Sequence, residues 1–249
     1  MIRRGQITSP QPKTLRGFLA SASDLLFSLD SKLWRTLIGL VRHPVETNRI
    51  YLSEAGDLLH PLKLLIGLSS ISVVVWALLP WAPHFMDTLT EVHPEITDEL
   101  RQSIESDGAT WPHFVDVANQ RAILLNVPFV MLISLPIMLY FKLLKRSRPA
   151  LDHAILTLNA FNVYLIFHIL SAPLYASPLS LMLISGLPLL LVLIPYLVLI
   201  LLRFYARSRW HGICSTLGLL FVFTVSYLIA SNATVFVAIA WAAQSVVSG

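Results

Sequence analysis

Apolar residues gather in five long runs, at about 62–81, 122–141, 151–172, 179–202 and 213–234, parted by short polar or charged stretches. A helix of about 20 apolar residues, rising 1.5 Å each, covers a hydrocarbon core of ~30 Å. The pattern therefore predicts an all-α, polytopic transmembrane helix bundle of about five spans filling 61–249, with an apolar C-terminal extension. Residues 1–13, with Ser9, Pro10 and Pro12, read as a disordered cytoplasmic tail. Residues 14–60 read as amphipathic interfacial helices. Leu15, Phe18, Leu19, Ala22, Leu25, Leu26 and Leu29 form one apolar face, and Leu33, Trp34, Leu37, Ile38 and Val41 a second, with Ser31 as N-cap and Pro44 as stop. These helices either lie flat on an anionic leaflet or pack beneath the bundle. Residues 84–121 read as the one long hydrophilic loop, carrying a short helix after Pro94 and a turn at Asp107-Gly108. Between Ile213 and Val247 no residue is charged, which fits either one long helix projecting beyond the bilayer or a re-entrant hairpin.

The third run, LDHAILTLNAFNVYLIFHILSA, is the one that carries polar chemistry. Polar groups at membrane depth are costly and face protein or water, so this span belongs inside the bundle. At 100° per residue from Asp152, Asn159 falls at about −20° and Asn162 at about −80°, while His153, Thr157, Tyr164 and His168 fall between about 100° and 160°. The arc from Phe161 to Leu165 is left apolar for lipid or neighbouring helices. Two functions fit two polar stripes. One is a proton or polar-ligand path using His153 and His168, with Asn126 of the second span, Asn159 and Asn162 lining a site between spans two, three and four. The other is interhelical hydrogen bonding that fixes packing. Asp152 and His153 also suit a plain interfacial helix start, an acid being favoured at the positive end of the helix dipole. Pro128, Pro136, Pro188 and Pro195 break the second and fourth runs, as broken transporter helices are broken, but no inverted repeat accompanies them.

Composition agrees: 55% of residues are hydrophobic and only 13% charged, against about 25% in soluble domains. The pI near 9.4 does not indicate nucleic acid, because the basic residues sit in short clusters beside apolar runs, as topology determinants do. Lys and Arg crowd the stretch ahead of the first span, and recur as KLLKRSRP at 142–149 and RFYARSRW at 203–210. Eight acids against Arg101 and Arg121 occupy 84–121. The positive-inside rule then places the N-terminus in the cytoplasm and 84–121 outside. Cys214, the sole cysteine, forms no disulfide and reads as a packing residue. His84, His93 and His113 share the acidic loop without ligand spacing, so no metal is expected. Nucleotide, hydrolase and metalloprotease motifs are missing, so neither a cofactor nor an enzyme is expected.

Three stretches read together as a resemblance: LVRHPVETNRIYLSEAGDLLHPLKLLIGL at 40–68, RPALDHAILTLNAFNVYLI at 148–166, and ILLRFYARSRWHGICSTLGLL at 200–220. They resemble a bacterial family of five-span inner-membrane proteins, a domain of unknown function with a layout similar to Yip-type membrane proteins. The resemblance implies that Pro44, Tyr51, Gly56, Pro61, Asp152, His153, Asn159 and Tyr205 are the family's marked positions. Many relatives begin with a zinc ribbon that this chain lacks. The family's usual Glu is Asp152 here, and its usual histidines are Phe161 and Asn162. The expectation is a multi-pass protein of a bacterial inner membrane, with loop 84–121 periplasmic. Its partners would be the lipid bilayer, other membrane proteins and a possible second copy of itself, with no nucleic acid. A non-enzymatic scaffold, assembly factor or accessory subunit is the leading function; a transporter or lipid-handling protein is the alternative.

Overall fold

The computed structural model describes residues 31–53, 58–78, 85–172 and 188–247. The tail at 1–13, the helix expected from Leu15 to Leu29, Gly56 and the link at 176–178 lie outside the described residues. Every regular element described is helical: α1 (Ser31–Arg42), α2 (Pro44–Ser53), α3 (Pro61–Leu78), α4 (Phe85–Val92), α5 (Pro94–Ser106), α6 (Trp111–Leu124), α7 (Asn126–Leu144), α8 (Ala150–Ser171), a π-helical turn (Leu189–Leu193), α9 (Ile194–Phe204) and α10 (Arg209–Val247).

Proline sets many of these boundaries. Pro44, Pro61 and Pro94 open α2, α3 and α5, and Pro149 precedes α8. A first-turn proline gives up an N–H that has no intrahelical partner anyway. Pro136 lies inside α7, and the π turn sits just ahead of Pro195, widening the helix where that ring would strike the preceding turn. Gly108 takes φ +85° between α5 and α6, a left-handed turn that a side chain would strain.

Two expectations change. Of the expected loop at 84–121, the described residues 85–121 are not a loop but three helices, α4, α5 and α6, closed around Met86, Ile104, Phe114 and Ala118. Ala242, from the far end of α10, completes that small core. From Glu91 to Asp116 the charged residues between these apolar positions are exposed, which is why the stretch reads as a loop in one dimension. Secondly, the run at 122–141 does not begin a helix. It continues one, since Leu125 bonds back to Arg121 and Phe129 back to Leu125, joining α6 to α7 in a nearly unbroken rod. Among the described residues two helices are both long and apolar enough to cross a bilayer, Ala150–Ser171 and Arg209–Val246; Pro61–Trp76, Pro128–Leu144 and Leu189–Phe204 are shorter apolar helices.

The main core forms around α8. From Leu156 to Leu165 nearly every side chain is buried, including Phe161 and Leu165 on the arc expected to meet lipid or neighbours. Neighbouring helices cover it: α3, α7, α9, α2 and the π turn pack against α8. A helix apolar or polar-satisfied all round is a buried one. α10 adds Leu219, Phe223 and Ala230 to that core but packs mainly along the α6–α7 rod, antiparallel to it. The Tyr140 hydroxyl donates to the Ser215 carbonyl at 2.8 Å near one end, and Arg121 lies 4.3 Å over the Trp241 ring near the other. Its 39 residues make a rod of about 58 Å, well beyond a ~30 Å hydrocarbon core.

Candidate functional site: two polar clusters on one buried helix

The first cluster joins five elements. Asn48, buried on α2, donates through Nδ2 to the Pro44 carbonyl at 2.8 Å and to the Tyr196 hydroxyl of α9 at 3.1 Å. Its Oδ1 accepts Asn159 Nδ2 of α8 at 2.9 Å. One turn along α8, Asn162 Nδ2 donates to the Pro61 carbonyl at 3.0 Å, where α3 begins. One turn further along α2, the Tyr51 hydroxyl donates to the Leu59 carbonyl at 2.6 Å, and the Leu59 N–H donates to Thr36 Oγ1 of α1 at 3.0 Å. Burial pushes the Tyr51 phenol up to about 12, against a smaller downward pull from the Thr36 hydroxyl. The α1–α2 corner is tight as well: a methyl at Gly39 would come within 2.7 Å of Thr47 Oγ1. Asn159 Oδ1 and Asn162 Oδ1 are buried without a hydrogen-bond partner among the described residues.

The second cluster lies at the start of α8. His153, fully buried, shares a hydrogen bond of 2.6 Å between Nδ1 and the Tyr205 hydroxyl. Phe141 stacks on Tyr205 with ring centroids 4.7 Å apart, and the Arg148 guanidinium sits 5.7 Å from both the Tyr205 and Phe204 rings. Lys142 Nζ closes the 142–149 loop by donating to the carbonyls of Arg146 and Arg148 at 2.9 and 2.6 Å. Lys145 Nζ reaches the Phe204 carbonyl at 3.3 Å, so the two basic loops meet. Partial burial, then the charges of Arg148 and Arg207, hold the Lys145 ammonium below its ordinary value. Burial holds the Tyr205 phenol above its own, against the pull of Arg148. Asp152 is half-buried in the first turn of α8, where its charge acts on His153 and Tyr205.

The predicted residues thus divide. Pro44, Pro61, Asn159 and Asn162 fall in the first cluster with Tyr51 beside it, and Asp152, His153 and Tyr205 fall in the second. His168 joins neither: it is half-buried, stacked between Trp76 of α3 at 5.0 Å and Tyr164 at 5.5 Å. Asn126 opens α7, and its side chain lies outside the described residues. A groove of about 410 Å³ runs between α7 and α10, lined by Leu132, Leu135, Pro136, Phe221, Val222, Val225, Ser226, Ile229 and Ala230, and none of the predicted polar residues lines it. Sequence reasoning missed Asn48, Tyr196 and Arg148. An available signal was that Asn48, like Tyr51 one turn on, interrupts the apolar face with Val45 and Leu52 on a helix too polar to be free-standing. Among the described residues no group of three or more His, Cys, Asp or Glu is placed to hold a metal ion. Comparison with protein-family models, curated proteins and solved structures returns no match.

Proposed function

We propose that this protein is a five-span scaffold or accessory subunit of the bacterial inner membrane, with α1 and α2 cytoplasmic and α4–α6 outside. The observation that carries the reading is the Asn48–Asn159 bond, with Asn48 also tied to Tyr196. The polar side chains of the central helix are spent on fixing the preceding helices and the chain's entry at Pro61, which is assembly work. Two further facts support membrane insertion. Ile66, Ile71 and Val74 of α3, Leu132, Leu135 and Leu139 of α7, and Phe221, Ile229 and Phe236 of α10 are all more than half exposed, an apolar belt that water would penalise. Only 28% of the most apolar part of α10 is buried, so it is no core helix of a soluble domain. α3, α7 and α9 would complete the five crossings, and the acidic α4–α6 unit would stand on the outer side against the rod of α10. Purification at native abundance in mild detergent should recover a stoichiometric membrane partner. A clean monomer or homo-oligomer would overturn the scaffold reading.

A second reading, transport of a small polar solute, is favoured by the buried acceptors Asn159 Oδ1 and Asn162 Oδ1. Asn159→Leu with His168→Leu separates the two. Folded variants that still rescue a deletion strain remove transport.

A further inference from the structure

The basic loops do more than mark topology. Lys142, Lys145, Arg146 and Arg148 from one, and Arg203, Arg207 and Arg209 from the other, converge at one end of the bundle, with Asp152 the only acid after residue 116. Like charges this close need a counter-ion. Arg148 is held rather than free: its guanidinium is fixed over Phe204 and Tyr205, and Nη1 is buried with no hydrogen-bond partner among the described residues. An arginine oriented by aromatic rings, with a donor unspent, is the usual form of a phosphate or carboxylate contact. α8 also begins beside it with no side-chain cap, so its first N–H groups add positive potential at the same place.

The surroundings choose between a free anion and a lipid. Leu143, Leu151, Leu202, Trp210 and Ile213, at the ends of the four helices that meet here, are exposed by 47% or more. Trp210 alone is 77% exposed, and exposed tryptophan belongs at the headgroup level of a bilayer. A basic cluster with an apolar collar directly beneath it matches a molecule that is anionic at one end and apolar at the other. We infer that the junction of the 142–149 and 203–210 loops is a binding site for the phosphate headgroup of an anionic phospholipid, with Arg148 as its fixed contact, Lys145 and Arg207 as further ones, and the acyl chains along the exposed leucines. The inference rests on the membrane reading above.

Purified protein in neutral detergent, heated with added phosphatidylglycerol, phosphatidylcholine or inorganic phosphate, tests it. Phosphatidylglycerol should raise the unfolding temperature by several degrees more than phosphatidylcholine does. Arg148→Gln should abolish the difference, and Arg101→Gln, an equal loss of charge at the opposite end, should keep it. Should Arg148→Gln not fold, Lys145→Gln with the exposed Arg207→Gln should lower the apparent affinity at least tenfold. Equal shifts by the two lipids, an equal shift by phosphate alone, or a preference that survives these substitutions would overturn the lipid site. Extraction of the protein from cells by alkaline carbonate without detergent would instead overturn membrane insertion itself, so the two failures are distinguishable.

Discussion

Asn159 illustrates how a polar residue on a buried apolar helix can find a partner far away in sequence. Asn48 is 111 positions earlier, yet their amides meet at 2.9 Å in a buried site. Replacing either by Leu leaves the other with an unmet buried group, which costs on the order of 1–2 kcal/mol. The double variant Asn48→Leu/Asn159→Leu should cost less than the sum of the singles, read from detergent unfolding curves, because the two share one bond. Strict additivity would mean that they do not interact. Tyr51 allows a pH test of the same clamp. Its folded pKa, raised to about 12 from an ordinary 10, means that the folded state favours the neutral phenol. That contribution is whole below pH 10 and is lost as pH rises toward 12. Unfolding curves should therefore show an alkaline step between pH 10 and 12 that Tyr51→Phe reduces, and no Tyr51-dependent change near neutrality. At this scale the sequence was half legible. Asn159 and Asn162 stand out because each interrupts an apolar run. Asn48 stands out only faintly and Tyr196 not at all, and the pairing of either was unreadable because a side chain's partner is fixed only by how helices meet.

Among the helices, the pair formed by the α6–α7 rod and α10 governs the shape. Their close approach depends on Gly218, where an added methyl would collide with the Tyr140 hydroxyl that bonds Ser215. Gly218→Ala should displace that ring and destabilise by about 1–2 kcal/mol, the size of a lost hydrogen bond plus overpacking. In a Tyr140→Phe background the same glycine change should cost less. An unchanged cost would show that the hydroxyl is not what the methyl meets. At the other end of α10, Ala242→Glu would set a charge in the small core of Met86, Ile104 and Phe114. Limited proteolysis within 85–121 should quicken while the main bundle stays resistant. Helix type was readable for the apolar runs, as far as they are described, because composition alone decides it. The helices of 84–121 were less so: their few apolar residues suffice only because α10, over a hundred residues later, supplies part of the core.

For the molecule as a whole, one asymmetry organises the argument. Eight of the fourteen acids lie in 84–121, and the α4–α6 unit holds them at the end of α10 marked by Ala242. Four basic residues of 142–149 and three of 203–210 lie at the opposite end, where Lys145 reaches Phe204. That separation was legible before any fold was known, since the positive-inside rule counts charges between apolar runs and needs no contacts. The fold adds the distance: α10 spans both ends as a single helix of about 58 Å, longer than a hydrocarbon core of ~30 Å is thick. If that polarity is the membrane polarity, accessibility must follow it. In a Cys214→Ser background, Gln102→Cys on α5 should react with a membrane-impermeant maleimide in intact spheroplasts. Ser147→Cys, in the loop before α8, should react only after permeabilisation. Both positions are exposed, so burial cannot explain a failure to label. The reverse pattern would invert the topology and move the basic junction to the outer face. Labelling of both sites in intact spheroplasts would mean that the long helix does not cross, and the exposed apolar belt would then have to be covered by another protein rather than by lipid.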